Sequence, residues 1–188
     1  MSVVFVGLEK PDASYLRLNT QLSCDSMKFI ADGMLGKLAR WLRLAGHDVI
    51  YIGDLQVPAQ EQDDALLSRA RREKRVLLTC DIGLHRRARR DGVKSAFVQS
   101  NDVVEQLVEV SRRSGHRIRI QPENSRCPMC NGLLEETSKS QVKGEVPTTV
   151  LERHDEFWKC KSCGKTYWQG KHWRTIVEMA KRYNRMVA

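Results

Sequence analysis

The stretch "KFIADGMLGKLARWLRLAGHDVIYI", residues 28–52, decides the fold. Its ends, "KFIAD" (28–32) and "DVIYI" (48–52), are short apolar runs that read as strands. Between them Leu35, Leu38, Ala39, Leu42 and Ala45 recur at the i, i+3, i+4, i+7 spacing, which predicts a helix over 33–45 with one apolar face. Gly46 stands where such a helix stops. Two strands joined through a helix pair in parallel, because an antiparallel pair needs only a tight turn.

The alternation continues outward. "PAQEQDDALLSRARREK" (58–74) reads as a loop and a helix with Leu66, Leu67 and Ala70 inward. "RVLLTC" (75–80) is a third strand, residues 82–90 a short basic helix, and "SAFVQ" (95–99) a fourth strand. "NDVVEQLVEVSRRSG" (101–115) is a helix with Asn101 or Asp102 as its cap. The expected fold class is therefore α/β, a mostly parallel sheet covered by helices in three layers. Residues 117–126 form a basic polar bridge, after which composition shifts to cysteines, aromatics and turn residues until "RTIVEMAKRYNRMVA" (174–188), a helix again. Residues 1–26 carry turn formers and no sustained period. The expected organisation is an N-terminal extension over 1–26, an α/β domain over 27–120, a cysteine module over 121–175 and a C-terminal helix over 176–188.

Composition narrows the function. A hydrophobic share of 41% supports a packed core and excludes a disordered chain. Lys and Arg outnumber Asp and Glu by 32 to 23, a net charge of +9 that favours polyanionic partners such as nucleic acid. No apolar run approaches the ~20 residues of a membrane span. The start "MSVVFVGLEKPD" lacks the basic n-region of a secretory signal, so the expectation is a cytoplasmic protein with no membrane partner.

Of six cysteines, four fall in "CPMC" (127–130) and "CKSCG" (160–163). A two-residue gap lets one tight turn aim both sulfurs at one ion. Two such turns make Cys127, Cys130, Cys160 and Cys163 a four-sulfur site of the kind that holds structural Zn2+ and leaves no open position. His154 and His172 are alternative ligands that a full cysteine set makes unnecessary. Phe157, Trp158, Tyr167, Trp168 and Trp173 crowd the second pair; most are expected to supply the small core of a ribbon rather than to stack bases.

Two carboxylates end apolar strands: Asp32 in "FIAD" and Asp81 in "LLTCD". In an alternating sheet, ligands bind outside the carboxyl ends of the strands. Asp63 and Asp64 open the helix leading to the third strand, and Asp102 opens the helix after the fourth, where a plain cap is its expected role. Acids converging on one edge call for Mg2+ or Mn2+, which can activate a water and stabilise the leaving oxygen of a phosphodiester. Lys37, Arg40 and Arg43 repeat at i, i+3, i+6 on the helix after Asp32, a stripe suited to a phosphate backbone. Further basic runs, Arg69–Arg75 and Arg86–Arg90, flank the third strand.

Taken together, "FIADGMLGKLARWLRLAGHDV", "DDALLSRARREKRVLLTCD" and "CPMC…FWKCKSCGKTYWQGKHW" resemble the PIN-like ribonuclease domain with a C-terminal zinc ribbon that forms the C-terminal part of mut-seven-type exonucleases. The resemblance covers roughly residues 27–175, in the family's order. It implies a PIN-like fold and a metal-dependent ribonuclease acting on RNA. On it, Asp32 matches the first PIN acid, Asp63 the acid opening the second helix and Asp81 the acid of the "T-x-D" strand end. The middle Glu of larger PIN nucleases has no counterpart, and Cys80 replaces the basic residue common before the last acid. The alternative is a non-catalytic RNA-binding adaptor. A haloacid-dehalogenase-type phosphatase is disfavoured, since its nucleophilic Asp would fall at Ile30. Cys80 as a nucleophile is disfavoured too, for want of a His at a partner position.

Overall fold

The computed structural model describes residues 26–119 and 124–187, with the side chains of Lys171 and His172 excepted. The expected extension over 1–26 lies, but for Ser26, outside the described residues, as does any ligand role for His172. Four short strands, β1 (Lys28–Ala31), β2 (Asp48–Tyr51), β3 (Val76–Thr79) and β4 (Ser95–Phe97), form one sheet in the order β2-β1-β3-β4. All three pairings are parallel, with Ala31 opposite Tyr51 on one side and Leu78 on the other. The α/β expectation is met.

Each crossover is a helix: α1 (Gly36–Leu44), α2 (Gln62–Glu73) and α3 (Ile82–Arg90), with α4 (Val103–Ser114) after β4. The helices divide between the two faces, as a parallel sheet requires. Leu66, Leu67 and Ala70 of α2 and Leu84 and Ala88 of α3 pack with Ile30 and Leu77. On the opposite face, Leu38 and Leu42 of α1 and Val104, Leu107 and Val108 of α4 pack with Phe29, Val49 and Leu78. That second core also takes Ile176 and Tyr183 from a long C-terminal helix, α6 (Lys171–Val187). Tyr183 Oη donates to Ser111 Oγ at 2.9 Å and accepts from Ile118 N–H at 2.9 Å, so α6 is stitched to α4.

The cysteine module is a three-stranded antiparallel sheet, β5 (Leu134–Thr137), β6 (Phe157–Cys160) and β7 (Thr166–Trp168), in the order β5-β6-β7. A one-and-a-half-turn helix, α5 (Thr148–Arg153), precedes β6. Its Val150 and Leu151 close over a core of Val142, Val146, Phe157 and Trp168. Phe157, Tyr167 and Trp168 are buried, so these aromatics are framework, as their crowding beside the cysteines predicts. Among the described residues no helix is long and apolar enough to cross a membrane.

Candidate functional site

The strand order puts the site where it does. The chain leaves β1 toward β2 on one side and later returns to β3 on the other, so the crevice opens between the carboxyl ends of β1 and β3. Asp32 follows β1 directly and Asp81 follows β3 by two residues. Asp32 is 8% exposed and accepts two hydrogen bonds. Oδ1 takes Met34 N–H at 3.0 Å, capping the turn Gly33–Leu35, and Oδ2 takes Cys80 N–H at 2.9 Å across the gap. The carboxylate thus ties the two strand ends together.

Asp81 is exposed. Its N–H donates to the buried Thr79 Oγ1 at 2.9 Å, which sets the turn out of β3. Asp81 Oδ1 caps α3 by accepting from Gly83 N–H at 2.6 Å and Leu84 N–H at 3.0 Å, and Oδ2 has no protein partner among the described residues. Asp63 sits exposed in the first turn of α2, whose amino end lies at this same edge because the helix runs back against the strands. The structure does not gather the three acids: among the described residues no three or more carboxylate or imidazole ligand atoms lie within 4.8 Å of one another. Asp32 and Asp81 come to adjacent strand ends, and Asp63 opens α2 at the same edge.

Two neighbours, Tyr51 and Glu109, were not singled out by sequence. Tyr51, at the end of β2, lays its ring over Gly36 and Gly53 and donates from Oη to Gly33 O at 2.8 Å, holding the turn after Asp32. A Cβ on either glycine would come within 3.0 Å of that ring, so the glycines make its seat. Glu109 of α4 accepts from Gln99 N–H, Ser100 N–H and Ser100 Oγ at 2.9, 3.0 and 2.6 Å, fixing the loop after β4. Burial pushes its carboxyl up, but these donors and Arg113 outweigh it and leave it below the usual glutamate range. Burial, then the charges of Asp32 and Glu109, push the Cys80 thiol up, away from the thiolate a nucleophile needs.

Lys37 and Arg40 are exposed on α1. Arg43 is not available to a ligand, a correction to the i, i+3, i+6 stripe. It is 3% exposed and its guanidinium is saturated by protein. Nε and Nη2 donate to Val49 O at 3.0 and 2.8 Å, Nη2 to Asp54 Oδ2 at 2.8 Å, and Nη1 to Pro128 O and Met129 O at 3.1 and 3.3 Å.

Those last two acceptors belong to the first cysteine turn. Asn131 closes it at φ 66° and Gly164 closes the second at φ 70°, the left-handed residue each knuckle needs. Cys127 Sγ lies 3.7 Å from Cys163 Sγ, and Cys130 Sγ 3.4 Å from Cys160 Sγ. All four sulfurs fall within 4.8 Å of one another. A disulfide needs about 2.0 Å, whereas sulfurs about 2.3 Å from a tetrahedral ion stand roughly 3.8 Å apart. The set fits one four-coordinate zinc ion. Cys127 Sγ also lies 3.0 Å from Tyr167 Oη, a hydrogen-bond partner beyond the four sulfurs. Burial pushes the Cys160 thiol up, but the N–H groups of Cys163 and Ser162 more than offset this and bring it to about 7. Asn131 further accepts from Val49 N–H at 3.0 Å and donates to Asp48 Oδ1 at 2.7 Å, so the knuckle docks on β2.

A family model described as the Mut7-C RNAse domain matches residues 27–180. No curated protein and no solved structure matches the chain.

Proposed function

The chain belongs to the Mut7-C RNAse domain family, and on that footing we propose that it hydrolyses RNA phosphodiester bonds at the edge bearing Asp32 and Asp81. One observation carries the reading: an exposed carboxylate and a nearly buried one end adjacent parallel strands, joined through the Cys80 N–H. The donor set suits Mg2+ or Mn2+, which commonly keeps its waters and takes one or two carboxylates plus substrate phosphate. When bound, the ion supplies an activated water and charge stabilisation at the leaving oxygen.

In this reading Asp81 offers the lone pairs of its unpartnered Oδ2 to the ion, while its Oδ1 keeps α3 in register. Asp32, held by two N–H donors, contributes a fixed negative charge that orients the ion and its waters. Asp63 acts from the start of α2, through water. Lys37 and Arg40 hold the phosphate chain beside the acids. Zinc in the Cys127, Cys130, Cys160 and Cys163 site is structural, with no open position for chemistry. Its ribbon assists RNA binding by docking on β2.

The test is cleavage of a single-stranded RNA with Mn2+ by the wild-type chain and by Asp81→Asn, which keeps the shape and the helix cap. Cleavage should fall at least 100-fold in the variant. Equal cutting by both overturns the site.

The lack of a tight acid triad among the described residues favours a second reading, a non-catalytic RNA-binding adaptor. It predicts salt-sensitive binding that is indifferent to withdrawal of Mg2+, with no product at any Mn2+ concentration.

A further inference from the structure

The basic runs are less available than their sequence implies. Arg69 and Arg72 pair with Glu73, Arg75 with Glu73 and Asp48, Arg71 and Arg90 with Asp91, and Arg87 with Asp64. Arg43 is consumed by the ribbon contact. Three cations from three different segments escape this neutralisation and meet at one place. Arg89 in the last turn of α3, Lys94 in the loop before β4 and Arg113 in the last turn of α4 are exposed and form no ion pair among the described residues. They rim a cleft of about 560 Å³ at the amino-terminal edge of the sheet, opposite the acids. Its accessible wall includes Ser95 and Ser114, and beneath them lie the buried side chains of Phe29 and Leu78.

We propose that this cleft binds adjacent phosphate groups, those of an RNA strand or of a small polyphosphate, through Arg89, Lys94 and Arg113. Two of the three are arginines at helix carboxyl ends, where cations are stabilising without any ligand. Each helix end contributes only about half a negative charge. Three full charges against two halves leave roughly two positive charges over the cleft. Glu109 lies one turn from Arg113, but its carboxylate is committed to the 99–100 loop. The field is felt nearby: His85, whose Nδ1 is 2.9 Å from Ser95 Oγ, is held below the usual imidazole range by burial and then by Arg89 and Arg113. A strand of four residues spans about 13 Å, so a chain of phosphates threaded past the sheet meets the cations at one end and the acids at the other. This placement makes the cleft a second hold on the same polymer and, to that extent, rests on the RNA reading above.

The experiment is binding without turnover, on the full chain. Fluorescein-labelled single-stranded RNA and inorganic tripolyphosphate are titrated separately, over a series of salt concentrations, against wild type and the Arg89→Ala, Lys94→Ala, Arg113→Ala triple variant. The triple variant should bind RNA at least 10-fold more weakly, with the slope of log affinity against log salt reduced by about 2. Loss of tripolyphosphate binding alone would identify the small anion as the ligand. Unchanged affinity and slope for both probes overturn the proposal. Should the triple variant melt early, Lys94→Glu, in a loop outside both helices, carries the same test. Both titrations are run free of Mg2+ and Mn2+, where the acid edge holds no ion, so failure of the cleavage reading is read separately from failure of this one.

Discussion

His47 is a polar side chain in an apolar place. It is 3% exposed, packs edge-on against Phe29 at 5.5 Å and His116 at 6.0 Å, and leaves Nε2 buried with no partner. Burial, then repulsion from His116, lowers its pKa to about 4. The unfolded imidazole takes a proton near 6.5, so between that value and about 4 the unfolded chain binds more protons than the folded one. Stability is therefore full above pH 6.5 and falls as pH drops toward 4, by on the order of 3 kcal/mol in all. Thermal melting at pH 7 and pH 5 should show a lower midpoint at pH 5 for wild type and a smaller difference for His47→Leu. Identical pH slopes would refute the assignment. None of this is legible in the sequence, where His47 is one residue past a helix stop. The strand-end position of Asp32 and Asp81 was legible, because a carboxylate closing an apolar run stands out against its surroundings. Arg43 leaves the expected stripe for a geometric reason. Steps of three residues fall about 60° short of a full turn. Two steps therefore carry the third cation off the face of Lys37 and Arg40 and toward β2.

The regular elements of the parallel sheet follow from local pattern. Helix α3 spans Ile82–Arg90, the range its sequence predicts, and α4 begins after Asp102 as the cap rule requires. Asp102 accepts from Val104 N–H and Glu105 N–H at 3.0 and 3.1 Å, and its other oxygen takes Arg182 of α6 at 3.0 Å. Asp102→Ala should cost about 1 kcal/mol in urea unfolding, with Asp102→Asn, which keeps the cap, costing a fraction of that. Equal losses would mean that the exposed ion pair, not the cap, matters. Helix α5 escaped the sequence because its six residues hold no full apolar repeat. It exists because Val142, Phe157 and Trp168 give Val150 and Leu151 something to cover. Helix α6 shows a clear period, but its place against α4 depends on Tyr183 reaching Ser111, 72 residues away in sequence.

Charge and connectivity act over the full chain. The net +9 is real, yet most of the arginine runs are spent on internal pairs, and composition cannot tell a spent cation from a free one. The four-cysteine cluster was legible in sequence but its clamping role was not, because that role needs Asn131, Arg43 and Asp48 to meet from distant parts of the chain. The clamp has a consequence of its own. β2 is an outer strand of the sheet, and such a strand offers bare amide groups to any other chain. Here Asn131 of the knuckle takes the Val49 N–H and Arg43 of α1 takes the Val49 carbonyl, so both outward groups of Val49 are covered. If the four cysteines hold zinc, stripping it should loosen that cover along with the ribbon. Light scattering after chelation is expected to show growing aggregates that restored zinc prevents. A chelated chain that stays monodisperse would show that something else shields the edge.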